Sequence, residues 1–263
     1  MKKLFVIGNP IEHSLSPKMH NYWIQKNNID AIYERKKLNK EELENFILKV
    51  KEKTIYGINV TVPFKKDVIP FLDHLSSESK NTQSVNTIYF KDSKIIGHNT
   101  DIDGFEHSIK NLKLNLINKK ILILGAGGVV PSIIFALNRM KVSKIIISNR
   151  TKEKAENLKI LFKNLIIVDW GEIPEFDMII NATSLGLKKE DSINLDFSLI
   201  SKDKIFYDVI YNPKETKFLK TGQSLGSSIL NGKSMFIYQA FSSFNIWHGI
   251  EPEVNENVIR LLD

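Results

Sequence analysis

With 263 residues the chain can form one large domain or two modest ones, and its 42% hydrophobic content is enough for real cores. No apolar run approaches the roughly 20 residues that a membrane helix needs, and the absence of cysteine excludes disulfides, thiolate metal sites and cysteine nucleophiles. The net charge of +7 raises nucleic acid as a partner, but the lysines (Lys36, Lys49, Lys53, Lys110 and Lys119 among them) are scattered without interleaved aromatics, so neither a nucleic-acid nor a membrane partner is expected.

The first apolar run has four residues, Leu4 to Ile7, and stops at Gly8, Asn9 and Pro10. It therefore reads as a β-strand over 4–8 and not as a signal peptide, and a soluble cytoplasmic enzyme is the expectation. A turn over 10–17 leads to a helix over 18–27, with Met19, Tyr22 and Trp23 at i, i+3 and i+4. A strand over 31–35 comes next, then a helix over 41–51 with acids in its first turn, where the macrodipole favours them. Residues 58–62 read as a short buried strand ended by Pro63, and 85–90 with 94–98 as a hairpin joined near Asp92 and Ser93. This βαβ order predicts a small, mainly parallel sheet covered by helices. A connecting helix over 105–114 then opens a second α/β series. Its strands are expected over 120–124, 144–148, 165–168, 178–181, 205–209 and 227–230. Its helices are expected over 131–140, 152–162 and 218–225, the last weakened by Gly222, and a long aromatic-rich helix over 234–247 closes the chain.

Lys65 stands just past the stop at Pro63, delivered to a fixed place by the strand before it. Asp101 follows the apolar pair Ile95 and Ile96 and the turn residue Gly97, so two opposite charges are expected at the ends of neighbouring strands. In one cleft the carboxylate would orient the ammonium, which could then give or take a proton. Taken alone, the two residues fit an ordinary surface ion pair better. The motifs around them decide otherwise.

A strand, then Gly125-Ala126-Gly127-Gly128-Val129, then a helix is the architecture of a phosphate-binding turn. Gly125 permits the tight turn, and Gly127 lets the backbone approach a pyrophosphate resting on the helix N-terminus. Pro131 suits the first helical turn. Val130 fills the third small position of that fingerprint, which leaves less room between helix and strand. At the next strand end an acid would bind the ribose 2′-hydroxyl of NAD. Here Asn149-Arg150-Thr151 stands instead, with Lys152 and Lys154 close behind, which predicts a receptor for the 2′-phosphate of NADP. His13, His20 and His98 lack a helical i,i+4 pair with a partner carboxylate, so no metal is expected.

Further stretches complete a pattern. Asn9-Pro10-Ile11-Glu12-His13-Ser14-Leu15-Ser16-Pro17 continuing to Asn21, Asn59 to Lys65, Val85-Asn86-Thr87, and Gly97 to Asp101 come first. The glycine turn, Asn149 to Thr151, Asn181-Ala182-Thr183-Ser184, Asp208 to Pro213, and Asn231 to Met235 follow, then Gln239-Ala240 with Trp247. In kind and order, over nearly the whole chain, they resemble the shikimate dehydrogenase family.

That resemblance implies two α/β domains: an N-terminal substrate domain with a mainly parallel sheet over 1–102, completed by 237–263, and a Rossmann-type NADP domain over 103–236, facing each other across the active site. It implies reversible, NADPH-dependent reduction of 3-dehydroshikimate to shikimate in aromatic amino-acid biosynthesis, with Lys65 and Asp101 as the catalytic pair. Ser14, Ser16 and Tyr211 would bind the substrate carboxylate, and Thr61, Asn86, Asp101 and Gln239 its ring hydroxyls, with Asn59 and Lys65 in the same site. Hydroxyls are good neutral donors to a carboxylate, and amides suit vicinal hydroxyls because they both donate and accept. The cofactor would meet Gly125, Ala126, Gly127, Gly128, Val129, Asn149, Arg150, Thr151, Lys154, Thr183, Val209, Gly232 and Met235. Monomer and homodimer both fit. The chain departs from the family at Gln83-Ser84, where Gly-Ala is usual, at Leu187, where methionine is usual, and at Ser77, Lys233 and Ser234. Two rivals are an NAD-using quinate/shikimate dehydrogenase, which would carry an acid near Arg150, and a non-catalytic dinucleotide sensor, which would most readily have lost Lys65 or Asp101.

Overall fold

A computed structural model of the chain describes residues 1–188 and 190–263. In chain order the first elements are β1 (Lys2–Gly8), α1 (Ser16–Lys26), β2 (Ala31–Lys37), α2 (Leu43–Lys51), β3 (Gly57–Val60), β4 (His74–Leu75), α3 (Ser77–Thr82), β5 (Thr87–Lys91), β6 (Lys94–His98) and α4 (Asp101–Asn111). Then come β7 (Lys120–Leu124), α5 (Val130–Arg139), β8 (Lys144–Ser148), α6 (Lys152–Leu161), β9 (Leu165–Val168), β10 (Met178–Asn181), β11 (Ile205–Asp208), α7 (Lys217–Ser224), β12 (Ser228–Leu230), α8 (Lys233–His248) and α9 (Glu256–Arg260). Two compact units result: Met1–Gly104 with Ile237–Asp263, and Phe105–Phe236. Among the described residues no helix is long and apolar enough to cross a membrane.

The first unit holds a six-stranded sheet in the order β2-β1-β3-β5-β6-β4. β1 pairs parallel with β2 and β3, and β4 with β6, while β5 runs antiparallel to β3 and β6. The β5–β6 hairpin turns on Asp92 and Ser93, both at positive φ (49° and 62°), the conformation whose twist matches a two-residue hairpin. On one face Phe46, Ile47 and Val50 of α2 pack with Ile58, Val60 and Ile88. On the chain's C-terminal side, Trp247 of α8 donates its indole N–H to the Ile88 carbonyl at 3.1 Å. Its ring lies so close to Gly57 that a Cβ there would sit 2.3 Å from the indole nitrogen. Burying a side chain of that size contributes about 1.5–3 kcal/mol, so α8 is a structural part of this unit. Beside it, His20 stacks on Tyr33 with ring centroids 4.2 Å apart and is flanked by Trp23, Phe244 and Trp247.

The second unit holds a wholly parallel sheet in the order β12-β11-β10-β7-β8-β9. Its central strands are continuous β-branched or leucine runs (Ile121 to Leu124, Ile145 to Ile147, Ile179 and Ile180), the signature of strands buried on both faces. From β7 the chain winds outward through β8 and β9, then restarts at β10 on the other side of β7. The strand order reverses between β7 and β10, and open α/β sheets bind ligands at such a switch point.

Several boundaries differ from the sequence expectation for identifiable reasons. β3 ends at Val60, two residues short of the expected stop: its pairing with β5 stops at Asn59, while Thr61 and Val62 still follow β1, the Thr61 N–H donating to Ile7 and the Val62 carbonyl accepting from Asn9. α1 starts at Ser16 and not at Lys18, with Pro17 inside its first turn. α4 starts at Asp101, four residues early, since the Asn99 side chain accepts the Asp101 N–H at 3.2 Å and two acids occupy the first turn. The short elements β4, α3 and α9 carry too few apolar residues to show a period.

Candidate active site

The expectation that Lys65 and Asp101 end neighbouring strands is corrected. β5 lies between β3 and β6; Lys65 sits in a turn five residues beyond β3, and Asp101 opens α4. The two side chains nevertheless meet: Lys65 Nζ lies 2.5 Å from Asp101 Oδ2, with both side chains largely enclosed (13% and 8% exposed). A charge-assisted bond removed from water is far stronger than the exposed kind. The other carboxylate oxygen, Oδ1, accepts from Asn86 Nδ2 at 3.0 Å. Asp101 is thus held from two sides, and its orientation fixes that of the ammonium.

Asn86 and Gln239 also converge here, with Gln239 Oε1 at 3.5 Å from Asn86 Nδ2. At the departure Gln83-Ser84, Gln83 adopts the left-handed conformation (φ 48°) that closes α3, and the Asn86 N–H donates to the His98 carbonyl at 3.0 Å. Asn59 is nearly buried (6% exposed), and its amide is bonded within the chain: to the Asn86 carbonyl, Thr87 and Ser243 through nitrogen, and to the Tyr33 hydroxyl through oxygen at 2.6 Å. Ser14 and Ser16 share the turn into α1, where the Ser16 N–H donates to Ser14 Oγ at 3.3 Å. Arg35 donates to the Ser14 carbonyl at 2.8 Å, a cation the sequence reading passed over. Thr61 is half-buried in the turn that leads to Lys65, its carbonyl accepting from the Phe64 N–H. Tyr33, Thr87, Thr100 and Ser243 were not expected in the site. A signal existed for Ser243 alone, which stands one helical turn after Gln239 and so shares its face.

In the second unit the glycine turn follows β7 at the switch point. Gly125 has φ +108°, and a Cβ on it would lie 2.9 Å from the Ala182 carbonyl that follows β10. Only glycine tolerates both demands. Ala126 and Val129 are half-buried, Gly127 and Gly128 are exposed, and the turn ends at the N-terminus of the ten-residue α5. That surface fits a pyrophosphate. Thr183 shapes the facing loop, its hydroxyl donating to Asn181 Oδ1 at 2.7 Å and accepting the Leu185 N–H at 3.0 Å. Gly232 adjoins Val209, its N–H donating to Ile210 at 3.1 Å, while Met235 is buried (6% exposed). Asp208 beneath them is bonded to Thr216, Asn181 and Ile210, and its burial raises its pKa. Tyr211 stacks on Phe236 at 4.4 Å.

At the end of β8, Asn149 donates to the Thr151 carbonyl at 2.7 Å, and Arg150, Thr151 and Lys154 are exposed. Lys152 is not part of a free cluster: its ammonium pairs with Asp169 Oδ1 at 2.8 Å, beyond the end of β9. The cations facing outward at this strand end are Arg150 and Lys154, and they fit a 2′-phosphate.

Comparison with known proteins agrees in both units. Residues 6–88 match the shikimate dehydrogenase substrate binding domain, and residues 107–189 the shikimate/quinate 5-dehydrogenase domain. The NADP(+) shikimate dehydrogenase of Pelagibacter ubique is 59% identical, with both chains covered in full. The crystal structure of the shikimate dehydrogenase from Aquifex aeolicus superposes with a TM-score of 0.91 at 40% identity, covering 100% of this chain and 97% of that one. A shikimate dehydrogenase solved in complex with NADP+ gives 0.93 at 32% identity, covering 100% and 94%.

Proposed function

Since the chain belongs to the shikimate dehydrogenase family, we infer that it catalyses the reversible, NADPH-dependent reduction of 3-dehydroshikimate to shikimate, with Lys65 and Asp101 as its catalytic pair. The observation that carries the second half is the enclosed Lys65–Asp101 contact with Asn86 on the remaining carboxylate oxygen.

When bound, NADPH supplies the hydride that adds to the C3 carbonyl carbon. Negative charge builds on the carbonyl oxygen as that happens, and the Lys65 ammonium stabilises it and donates a proton to it. Asp101 keeps the ammonium aimed and accepts a substrate hydroxyl. Asn86 and Gln239 hold the neighbouring hydroxyls, Thr61 another, and Ser14, Ser16 and Tyr211 take the carboxylate. Asn59 acts through Asn86, whose carbonyl it holds at 2.9 Å. In the second unit, Gly125 to Val129 would carry the pyrophosphate, Thr183, Val209, Gly232 and Met235 would border the nicotinamide end, and Asn149, Arg150, Thr151 and Lys154 would hold the 2′-phosphate.

Steady-state oxidation of shikimate with NADP, with NAD, and of quinate with either, tests the reading on the purified protein. Turnover with shikimate and NADP at least tenfold more efficient than the other combinations is expected. Comparable use of NAD would overturn the role given to Arg150 and Lys154, and no turnover of shikimate would overturn the whole.

A further inference from the structure

Asn59 on β3 and Thr87 on β5 are direct cross-strand partners. Ser243 of α8 comes down beside them, with its Oγ 3.0 Å from Asn59 Nδ2, 2.8 Å from Thr87 Oγ1, 3.1 Å from Thr100 Oγ1 and 3.0 Å from the Gln239 carbonyl. The Thr100 backbone N–H meets Asn86 Oδ1 at 2.8 Å. A backbone N–H can only donate, so that atom is the amide oxygen, and the amide nitrogen is turned toward Asp101. The Thr87 hydroxyl donates to the same oxygen at 3.0 Å. At the far end the Tyr33 hydroxyl donates to Asn59 Oδ1 at 2.6 Å. Hydrogen bonds therefore run without a gap from Tyr33 through Asn59, Ser243, Thr87 and Asn86 to Asp101 and Lys65. Tyr33, Thr87 and Ser243 are no more than 1% exposed, so any effect they have on turnover passes through their neighbours.

We propose that Tyr33, Thr87 and Ser243 are positioning residues that tie Asn59 to the Lys65–Asp101 pair and hold Asn86 with its nitrogen on Asp101. This rests on the catalytic reading above. In a low-dielectric interior, a hydroxyl removed from such a chain leaves its partners short of a hydrogen bond, and the loss spreads along the chain because the bonds polarise one another. Turnover, which depends on the aim of the ammonium, suffers more than substrate affinity.

The test is steady-state oxidation of shikimate with NADP by Tyr33→Phe, Thr87→Val, Thr87→Ser and Ser243→Ala, plus the Tyr33→Phe/Ser243→Ala double variant. Wild-type turnover in the same assay checks the catalytic reading separately. The Phe, Val and Ala variants are expected to lose about tenfold or more in kcat with KM for shikimate changed less than threefold. Thr87→Ser, which keeps the hydroxyl, should stay within twofold of wild type, and the double variant should fall no further than its worse parent. The proposal is overturned by kcat within twofold of wild type in Thr87→Val, by Thr87→Ser losing as much as Thr87→Val, or by losses that multiply in the double variant. The Thr87 pair changes shape least and decides alone if Ser243→Ala does not fold.

Discussion

In the first unit, the candidate site residues Asn59, Asn86 and Asp101 are buried side chains, each fixed by named partners, and Ser16 is buried beside Ser14. In the second unit, Gly127, Gly128, Arg150 and Thr151 lie on exposed turns at the ends of β7 and β8, and Lys154 is exposed in the first turn of α6. The contrast follows from the two ligands. Proton donation and the sorting of hydroxyls need groups held in a low-dielectric place before substrate arrives. A dinucleotide carries its own charge, so backbone N–H groups at a helix end and exposed surface cations are sufficient to hold it. One unit contributes aimed side chains; the other contributes backbone shape over an apolar sheet.

The largest expected effect bears on the first half of that contrast. Lys65→Ala should lower kcat for shikimate by about 10²–10⁴-fold, the range of a lost general acid, with KM shifted only a few-fold. Asp101→Asn should lose less, because an amide still accepts from the ammonium. Turnover within tenfold of wild type in Lys65→Ala would remove the distinction. A thermal melt is needed alongside, since leaving Asp101 enclosed without its counter-ion costs about 3–5 kcal/mol.

The exposed half is sharpened by Arg150→Ala/Lys154→Ala. KM for NADP should rise about 10–100-fold, as expected for one or two charge-assisted bonds, while kcat and the KM for NAD change little. Equal loss with NAD would assign the two cations to the fold or to the pyrophosphate.

The smallest effect separates the units by acid. Burial, followed by the charge of His248, pulls the His20 pKa down to about 3, and burial with the nearby Lys2 pulls His248 to about 4. Both folded values lie below the ordinary 6.5, so the unfolded chain binds the protons. Stability from these groups is complete above about pH 6.5 and is lost as pH falls toward 4, at about 1.4 kcal/mol per pH unit for each histidine. Trp23 and Trp247 adjoin His20, so with Trp170 of the second unit replaced by Phe, urea unfolding followed by tryptophan fluorescence reads the first unit. His20→Phe, which keeps a ring in the stack, should halve the slope. A midpoint that stays level between pH 7 and 5 would rule this out.

The second unit was the more legible in sequence. Its strands are isoleucine runs bounded by glycine and polar turns, and β7, β8, β9 and β10 fall where the pattern places them. The first unit was harder to read for a physical reason: its polar residues are buried by cross-strand and helix partners far away in sequence. Asn59 reads as a substrate amide until Tyr33, Thr87 and Ser243 are seen around it. Asp101 reads as a strand end because the apolar spacing of a helix starts only at Phe105, yet the Asn99 cap and two acids begin one earlier. Lys152 reads as a free cation because Asp169, 17 residues on, is invisible to local spacing.

Helix α8 carries a consequence for how the protein comes into being. Gln239, Ser243 and Trp247 all belong to α8, which closes a unit whose other residues end at Gly104. A chain made from its N-terminus therefore releases the whole second unit while the first still lacks one wall. Catalytic competence arrives only with the final few dozen residues, and an interrupted translation product can fold in part yet stay inert.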